Sequence, residues 1–141
     1  MSYGSLSKNA RENDHGIQMN PEPMSHELIS LLTKIKSVEK NEFTSVLLNQ
    51  YRDGKDSNGW HSDDEKELGI NPVIASVSLG EERFFHLKHK HDKSQRLKIK
   101  LEHGSLLIMG GAMQTHWQHQ IAKTKRQIRP RINLTFRKIL S

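Results

Sequence analysis

The sequence contains no cysteine, and this absence excludes several kinds of site. Disulfide bonds, zinc–thiolate centres and thiol nucleophiles all need cysteine, so none of them can form in this chain. We therefore expect no disulfide-linked partner and a reducing compartment, cytoplasmic or, in a eukaryote, nuclear. Any bound metal would have to use carboxylates and the nine histidines.

Long apolar runs are also lacking. The longest uninterrupted run covers residues 106–109, far short of a membrane span. The first sixteen residues lack the apolar segment of a signal peptide. We therefore expect no membrane partner. At 141 residues, with 33% hydrophobic, the chain has the size of a single domain over residues 1–141.

Positive charge is in excess. Lys and Arg number 22 against 16 Asp and Glu, a formal net charge of +6. This balance favours a polyanionic partner, because cations that neutralise phosphates release bound counterions. A solvated basic surface is the alternative. Two segments concentrate the cations: Lys88, Lys90, Lys93 and Arg96, and Lys123, Lys125, Arg126 and Arg129.

One helix is expected near the N-terminal end. Apolar residues recur at steps of three and four after Pro21 and Pro23: Met24, Leu28, Leu31, Leu32, Ile35 and Val38. This period gives one apolar stripe, and prolines are tolerated where a helix begins. The pattern predicts a helix over residues 23–38 that packs on the rest of the domain.

After this helix the apolar period changes to two, which is typical of β-strands. Strands are predicted over residues 46–51, 73–79, 83–87, 96–101, 105–109, 115–121 and 131–137. One helix followed by seven or eight short strands indicates a mainly β domain, a sandwich or jelly roll with the helix against one sheet.

His61 and Asp63 form the first candidate site. Residues two apart on an extended chain point to the same side, so this pair can share a metal ion. A second imidazole from a distant strand would complete the two-histidine, one-carboxylate arrangement that holds Fe(II). In a chain with nine histidines, however, such a pair also arises by chance.

The last predicted strand carries polar side chains on one face: Arg131, Asn133, Thr135 and Arg137. If that face is buried, the two arginines require anions, and Arg pairs with carboxylates through two hydrogen bonds. A small dicarboxylate between Arg131 and Arg137 would satisfy them. An exposed edge strand with solvated arginines is the alternative.

Five segments resemble the AlkB family of Fe(II)- and 2-oxoglutarate-dependent dioxygenases, especially the branch that repairs alkylated duplex DNA. They are NQYRDGKDSNGWHSDDEKELG (49–69), PVIASVSLG (72–80), LEHGSLLIMGG (101–111), THWQHQI (115–121) and PRINLTFRKIL (130–140). They occur in the family's order and cover roughly residues 46–140. The resemblance implies a double-stranded β-helix (jelly roll), with its core over residues 46–140 and the helix packed on one sheet.

The resemblance also implies roles for individual residues. The implied iron ligands are His61, Asp63 and His119. The implied 2-oxoglutarate contacts are Asn49, Tyr51, Asn133, Arg131 on the distal carboxylate and Arg137 near the chelating end, with Ser76 and Thr135 lining the same cavity. His116 is then a neighbour, and His89 and His91 are expected in solvent.

The activity implied is oxidative demethylation of N-alkylated bases in DNA, a repair reaction that uses O2 and releases formaldehyde, succinate and CO2. The expected partner is alkylated DNA or RNA, and the chain is expected to be a monomer. Glu65 matches a family position that touches the base edge; a plain surface acid is the alternative. Two other functions stay open: the same chemistry on RNA or a protein side chain, and a non-catalytic basic jelly roll, from a shortened gene, that binds nucleic acid.

The N-terminal segment departs from the family pattern. Family members carry more chain before the helix, as a lid that recognises the nucleotide and stacks an aromatic side chain on the base. Here only Tyr3-Gly4 resembles its end, and residues 5–20 contain no Phe, Trp or Tyr. We expect residues 1–20 to be an irregular remnant of that lid or a short edge strand. A lost stacking contact would cost about 1–3 kcal/mol per base.

Overall fold

The computed structural model describes the backbone of residues 5–9 and the complete residues 24–140. Two β-sheets face each other. The larger sheet has the order β1-β2-β9-β4-β7 and the smaller one the order β3-β8-β5-β6. The strands are β1 (Ser5–Asn9), β2 (Ser45–Tyr51), β3 (Asn58–His61), β4 (Ile74–Gly80), β5 (Arg83–His89), β6 (Arg96–Leu101), β7 (Ser105–Met109), β8 (Trp117–Ile121) and β9 (Arg131–Arg137). The mainly β prediction is confirmed.

Helix α1 (His26–Lys36) is shorter than the 23–38 predicted for it. Ser25 caps the start of the helix: its hydroxyl accepts a hydrogen bond from the Leu28 N–H at 3.3 Å. Its own backbone is extended, so the helix begins at the next residue. At the other end the Ser37 hydroxyl donates to the Lys34 carbonyl at 2.6 Å. Val38, placed on the apolar stripe by its spacing, lies beyond the helix and is exposed.

Two apolar cores lie on opposite faces of the larger sheet. The outer core joins α1 to the sheet through Ile35, Val46, Val77 and Phe136. The inner core lies between the sheets and includes Phe85, Leu87 and Met109, among others. The predicted helix-on-sheet packing is therefore present, and the inner face of the larger sheet carries both apolar residues and polar groups.

β9 is a central strand, paired antiparallel with β2 on one side and with β4 on the other. Its register sets Arg131 opposite Tyr51 and Asn133 opposite Asn49. Central position excludes the alternative of an exposed edge strand with solvated arginines. Because side chains alternate along a strand, every second residue of β9 points between the two sheets.

The structure corrects the strand predicted over residues 115–121. Residues Met113–His116 form a short helix, α2, and the strand begins only at Trp117. The Thr115 and His116 N–H groups both bond to the Ala112 carbonyl, which closes the turn. A further one-turn 3-10 helix, Lys66–Leu68, follows the His61–Asp63 segment.

Residues 1–20, expected as a lid remnant, lie outside the described residues except for Ser5–Asn9. That stretch is strand β1 and pairs parallel with β2 at the edge of the larger sheet. Across the described ranges 5–9 and 24–140, no helix is long and apolar enough to span a membrane.

Arg83 joins two loops at one end of the domain. Its guanidinium is buried and donates to the carbonyls of Asp53 (3.3 Å), Asp56 (3.1 Å) and Ala122 (2.7 Å). The same group lies over the Tyr51 ring at 5.5 Å from its centre. The β2–β3 and β8–β9 loops are thereby fixed to the start of β5.

We expect Phe136→Ala to lower the free energy of unfolding by about 3–5 kcal/mol, because it opens a cavity in the outer core. Phe136 is 0% exposed. The matched control is Phe84→Ala, the same change at a residue 39% exposed, with an expected cost of about 1 kcal/mol or less. Urea titration followed by circular dichroism measures both. Equal losses would contradict the packing of α1 against β9.

Candidate active site

A cavity of about 310 Å³ lies between the two sheets. All eleven residues proposed for the site from the sequence line it: Asn49, Tyr51, His61, Asp63, Glu65, Ser76, His119, Arg131, Asn133, Thr135 and Arg137. Apolar residues of the inner core, including Phe85 and Met109, complete the wall. The structure thus assembles the whole set, and the individual roles stay predictions.

His61, Asp63 and His119 meet at the wall formed by the smaller sheet. One ligand atom from each lies within 4.8 Å of the others, and no other such group of three His, Asp or Glu occurs in the described residues. The Asp63 carboxylate lies near both rings, 3.8 Å from His61 Nε2 and 3.5 Å from His119 Nε2. β3 and β8 set this geometry, since they pair His61 directly with His119.

Hydrogen bonds orient these three side chains. His61 Nδ1 lies 2.6 Å from the Gly59 carbonyl, which can only accept, so Nδ1 carries the proton and Nε2 is free to bind a metal. The chain after His61 is fixed by the Ser62 hydroxyl, which donates to the Trp117 carbonyl at 2.6 Å. The His119 ring is buried beside the Phe85 ring, with centres 4.9 Å apart.

The protonation states suit a divalent cation. Burial, together with the nearby His119, lowers the pKa of His61, so this imidazole is neutral at neutral pH. Burial acts to raise the pKa of Asp63, but its hydrogen bond to His119 and the charges around it prevail and lower that pKa. A neutral imidazole and an ionised carboxylate are the forms that coordinate metals.

The opposite wall contains a buried cation. Arg131 is 2% exposed and donates through Nη2 to the Ser78 hydroxyl at 2.9 Å. Its Nε and Nη1 atoms have no hydrogen-bond partner within the part of the chain described. The guanidinium lies over the Tyr51 ring, 4.9 Å from the centre. A buried guanidinium with free N–H groups is costly unless an anion binds it, and a carboxylate fits its fork.

Arg137 is the second arginine of β9. Its Nη1 lies 3.5 Å from a Glu65 carboxylate oxygen, and its buried Nε has no partner among residues 24–140. Glu65 itself is half exposed, at the mouth of the cavity. Two arginines on one strand, six residues apart, therefore offer unfilled N–H groups to an anion with two charged ends.

Amides and hydroxyls fill the space between the two arginines. The Asn133 amide donates to the Ser76 hydroxyl at 2.6 Å and to the Val77 carbonyl at 3.1 Å. The Thr135 hydroxyl donates to Asn133 Oδ1 at 2.8 Å. Asn49 Oδ1 is buried and has no partner in the described structure. This donor set fits Fe(II) at one wall and 2-oxoglutarate against the other.

The remaining histidines of interest lie outside the cavity. His89 stacks on His116, with ring centres 5.9 Å apart and planes within 8°. His89 Nδ1 accepts the N–H groups of His91 and Asp92, at 3.1 and 3.0 Å. His116 does not line the cavity, and the expectation that it is a neighbour and not a ligand stays a prediction.

Gln114, Ser78 and Arg83 were not predicted from the sequence. Gln114 is 1% exposed, and its Oε1 accepts the Asp63 N–H at 2.8 Å and lies 3.3 Å from His119 Nε2. It therefore touches two of the three candidate ligands. Only its place just before the THWQHQI segment could have drawn attention to it.

We expect Gln114→Leu to weaken Mn(II) binding about 10–100-fold, because the Asp63 backbone loses its acceptor and the carboxylate loses its position. Isothermal titration with Mn(II) measures the affinity. The matched control is Gln118→Leu, whose side chain lies on the opposite face of β8, beside Lys88. An unchanged affinity in Gln114→Leu would show that Asp63 is held by other contacts.

Comparison with known proteins places this cavity in context. Residues 4–137 match the model of the 2OG-Fe(II) oxygenase superfamily. The chain is 46% identical over 134 residues to mouse alpha-ketoglutarate-dependent dioxygenase alkB homolog 3, covering 87% of this chain and 46% of the relative. It is 42% identical over 132 residues to bovine DNA oxidative demethylase ALKBH2, covering 89% and 48%. The chain thus spans about half the length of the curated relatives it matches.

A solved structure described as the structure of OsALKBH1 superimposes with a TM-score of 0.64. The match covers 96% of this chain and 76% of that one at 19% identity, so it supports the jelly-roll fold alone. The AlkB-like character indicated by the five segments is confirmed by the curated relatives. On the match over residues 4–137, this chain belongs to the 2OG-Fe(II) oxygenase superfamily.

Proposed function

We propose that this protein is an Fe(II)- and 2-oxoglutarate-dependent dioxygenase that oxidatively demethylates N-alkylated bases in DNA. One observation carries the proposal: a His–Asp–His cluster faces two arginines with unfilled N–H groups across a single cavity. A metal site alone, or an anion site alone, would fit many functions. Both together, at opposite walls, fit a metal and a dicarboxylate co-substrate.

Each half of the site would hold its group through residues already in place. His61, Asp63 and His119 would bind Fe(II), and Arg131 would pair with the distal carboxylate of 2-oxoglutarate, with Arg137 nearer the metal end. When bound, these groups and O2 supply the oxidation that turns 2-oxoglutarate into succinate and CO2 and hydroxylates a substrate C–H bond. An N-methyl group hydroxylated at its carbon breaks down to formaldehyde and the free amine.

The protein contributes positioning and a low-water environment. Arg131 is held between Ser78 and Tyr51, so it is preorganised before any anion arrives. Tyr51 is itself covered by Arg83 on the side of the β2–β3 loop. Phe85 and Met109 give the cavity an apolar lining, and Phe85 lies beside the His119 ring. Such a pocket strengthens every charge interaction inside it.

DNA is the proposed substrate class. The names of curated relatives, DNA oxidative demethylase ALKBH2 among them, support it, as does the net charge of +6. A base in a duplex would have to be flipped out to enter the cavity. Glu65, half exposed at the mouth, would accept a hydrogen bond from the exocyclic amine of an adenine or cytosine. We propose a monomer acting in the cytoplasm or, in a eukaryote, the nucleus.

Two alternatives lead to different measurements. The same chemistry on RNA or on a protein side chain would be recognised by which substrate stimulates 2-oxoglutarate turnover. A non-catalytic jelly roll would bind nucleic acid with a salt-dependent affinity and form no succinate. The unfilled N–H groups of Arg131 and Arg137 favour an enzyme over that module, because they have no use in a fold that binds only nucleic acid.

The first test is the visible metal-to-ligand absorption band that forms when Fe(II) and 2-oxoglutarate are added without oxygen. We expect the band in the wild type and its loss in Asp63→Ala and Arg131→Ala. The matched controls are Asp64→Ala and Arg129→Ala, which change an exposed acid and an exposed arginine nearby. Folded wild-type protein that forms no band would contradict the proposal.

The second test addresses the substrate end of the cavity. Glu65→Ala should lower kcat/KM for methylated adenine or cytosine in an oligonucleotide about tenfold, in line with ~1–3 kcal/mol for a contact to a base edge. Formaldehyde release measures the rate. Glu67→Ala removes an exposed acid two residues further on and should leave the rate unchanged. Equal rates for wild type and Glu65→Ala would make Glu65 a surface acid.

A further inference from the structure

The outer face of the smaller sheet is exposed at Phe84, Lys98 and Lys100 and half-buried at Trp60 and Lys88. Strand pairing sets Phe84 beside Lys100, His86 between Lys98 and Gln120, and Lys88 between Arg96 and Gln118. The alternate residues of β5, Arg83, Phe85 and Leu87, are buried on the inner side. Phe84 and its neighbours therefore form a polar, cationic surface with aromatic rings in it.

Two of these rings are covered by lysines. The Lys88 ammonium lies 4.2 Å from the centre of the Trp60 ring, and the Lys98 ammonium lies 4.2 Å from the centre of the Phe84 ring. Trp60 precedes His61 on β3, so it points away from the cavity that His61 lines. Such cation–π contacts at exposed sites are weak, about 0.5–1 kcal/mol, and a better partner can displace the lysine.

The surface has an excess of positive charge. Lys88, Arg96, Lys98 and Lys100 face the same side, and Glu82 pairs with one of them, 3.3 Å from the Lys100 ammonium. Within this group of described residues, one carboxylate is set against four cations, so the group is positive. Histidine and glutamine side chains between the rings add hydrogen-bond donors without adding negative charge.

We propose that this face, the stack surface defined by Trp60, Phe84, Lys88, Lys98 and Lys100, is a second binding site, and that it binds single-stranded nucleic acid. Exposed sheet faces bind single strands by stacking bases on aromatic rings while cations contact the phosphates. Here each ring already has its cation beside it. A base that stacks on Trp60 or Phe84 frees Lys88 or Lys98 to move to the adjacent phosphate.

The geometry assigns separate bases to the two rings. Trp60 on β3 and Phe84 on β5 are two strands apart, about 10 Å across the sheet. That distance is too large for the rings to enclose one base between them. The strand would therefore cross the sheet and place two different bases on Trp60 and Phe84.

The stack surface lies behind the cavity, on the other side of the same sheet. His119 points into the cavity, while its neighbours Gln118 and Gln120 point to the outer face. Bases bound there cannot reach the metal ligands. The site would hold the strand outside the reacting nucleotide, which raises the local concentration of substrate at the cavity mouth.

The test is the affinity of the full chain for an unmethylated, dye-labelled oligothymidylate of about twelve nucleotides, within the range of site sizes seen for such proteins. Fluorescence anisotropy is recorded with EDTA and without 2-oxoglutarate, so the result does not depend on the proposed activity. We expect Phe84→Leu and Trp60→Leu each to weaken binding about tenfold, since leucine keeps the apolar contact but cannot stack. Lys98→Ala should reduce the slope of log affinity against log salt by about 1.

Matched controls separate this face from other basic regions. Lys36→Ala, on helix α1, should leave affinity unchanged, and Lys125→Ala reports the basic loop that lines a different groove. The proposal would be overturned by no binding of the oligonucleotide, by full affinity in both leucine variants, or by equal competition from polyglutamate. Loss of binding only in Lys125→Ala would also overturn it, because the strand would then bind at the loop. The two proposals can fail separately. If the wild type forms the Fe(II)–2-oxoglutarate band and one of these results is obtained, the proposed function stands and the stack surface is rejected.

Discussion

The buried guanidinium of Arg131 is the constraint on which much of this structure depends. Placing a cation between two sheets is unfavourable unless its N–H groups are satisfied. The Ser78 hydroxyl accepts a hydrogen bond from the guanidinium, and the face of the Tyr51 ring packs against it. The central position of β9 keeps the guanidinium between the sheets. Two of its nitrogen atoms, Nε and Nη1, have no hydrogen-bond partner within the described residues. The unfavourable burial of this cation is thus already part of the folded state, and an anion that binds there meets a guanidinium that is already positioned.

The metal wall is built on a different plan. Its three side chains come from the short strand β3, from the segment after it and from β8, and the register of two strands aligns only the histidines. The carboxylate depends on side-chain contacts: Gln114 from helix α2 and Ser62 against the Trp117 carbonyl. The wall that contains Arg131 is therefore positioned mainly by backbone pairing, and the position of Asp63 in the metal wall by buried polar contacts.

Local pattern was sufficient for much of the fold. Alternation along residues 131–137 separated the residues facing the cavity from those facing α1, and the structure has the same division. Prediction from local pattern failed where the contact that determines the structure joins residues distant in sequence. Residues 113–116 form a helical turn next to strand-like sequence. Gln114 is important because it contacts Asp63, which is 51 residues away in the sequence. Arg83 begins a predicted strand, yet its three acceptors belong to loops that no local pattern brings together. Nor can alternation say which face of β5 is covered, so the exposure of Phe84 needed the structure.

The two-faced character of β9 has a consequence for how this chain can vary. Its inner side chains serve the cavity, and its outer ones, Leu134 and Phe136, anchor α1. A substitution changes one face only, so each face can adapt separately. A single inserted or deleted residue would exchange the two sets, turning arginines toward the helix and phenylalanine toward the cofactors. The length of this strand is therefore more constrained than its composition. Natural variants should differ here by substitutions and not by insertions or deletions.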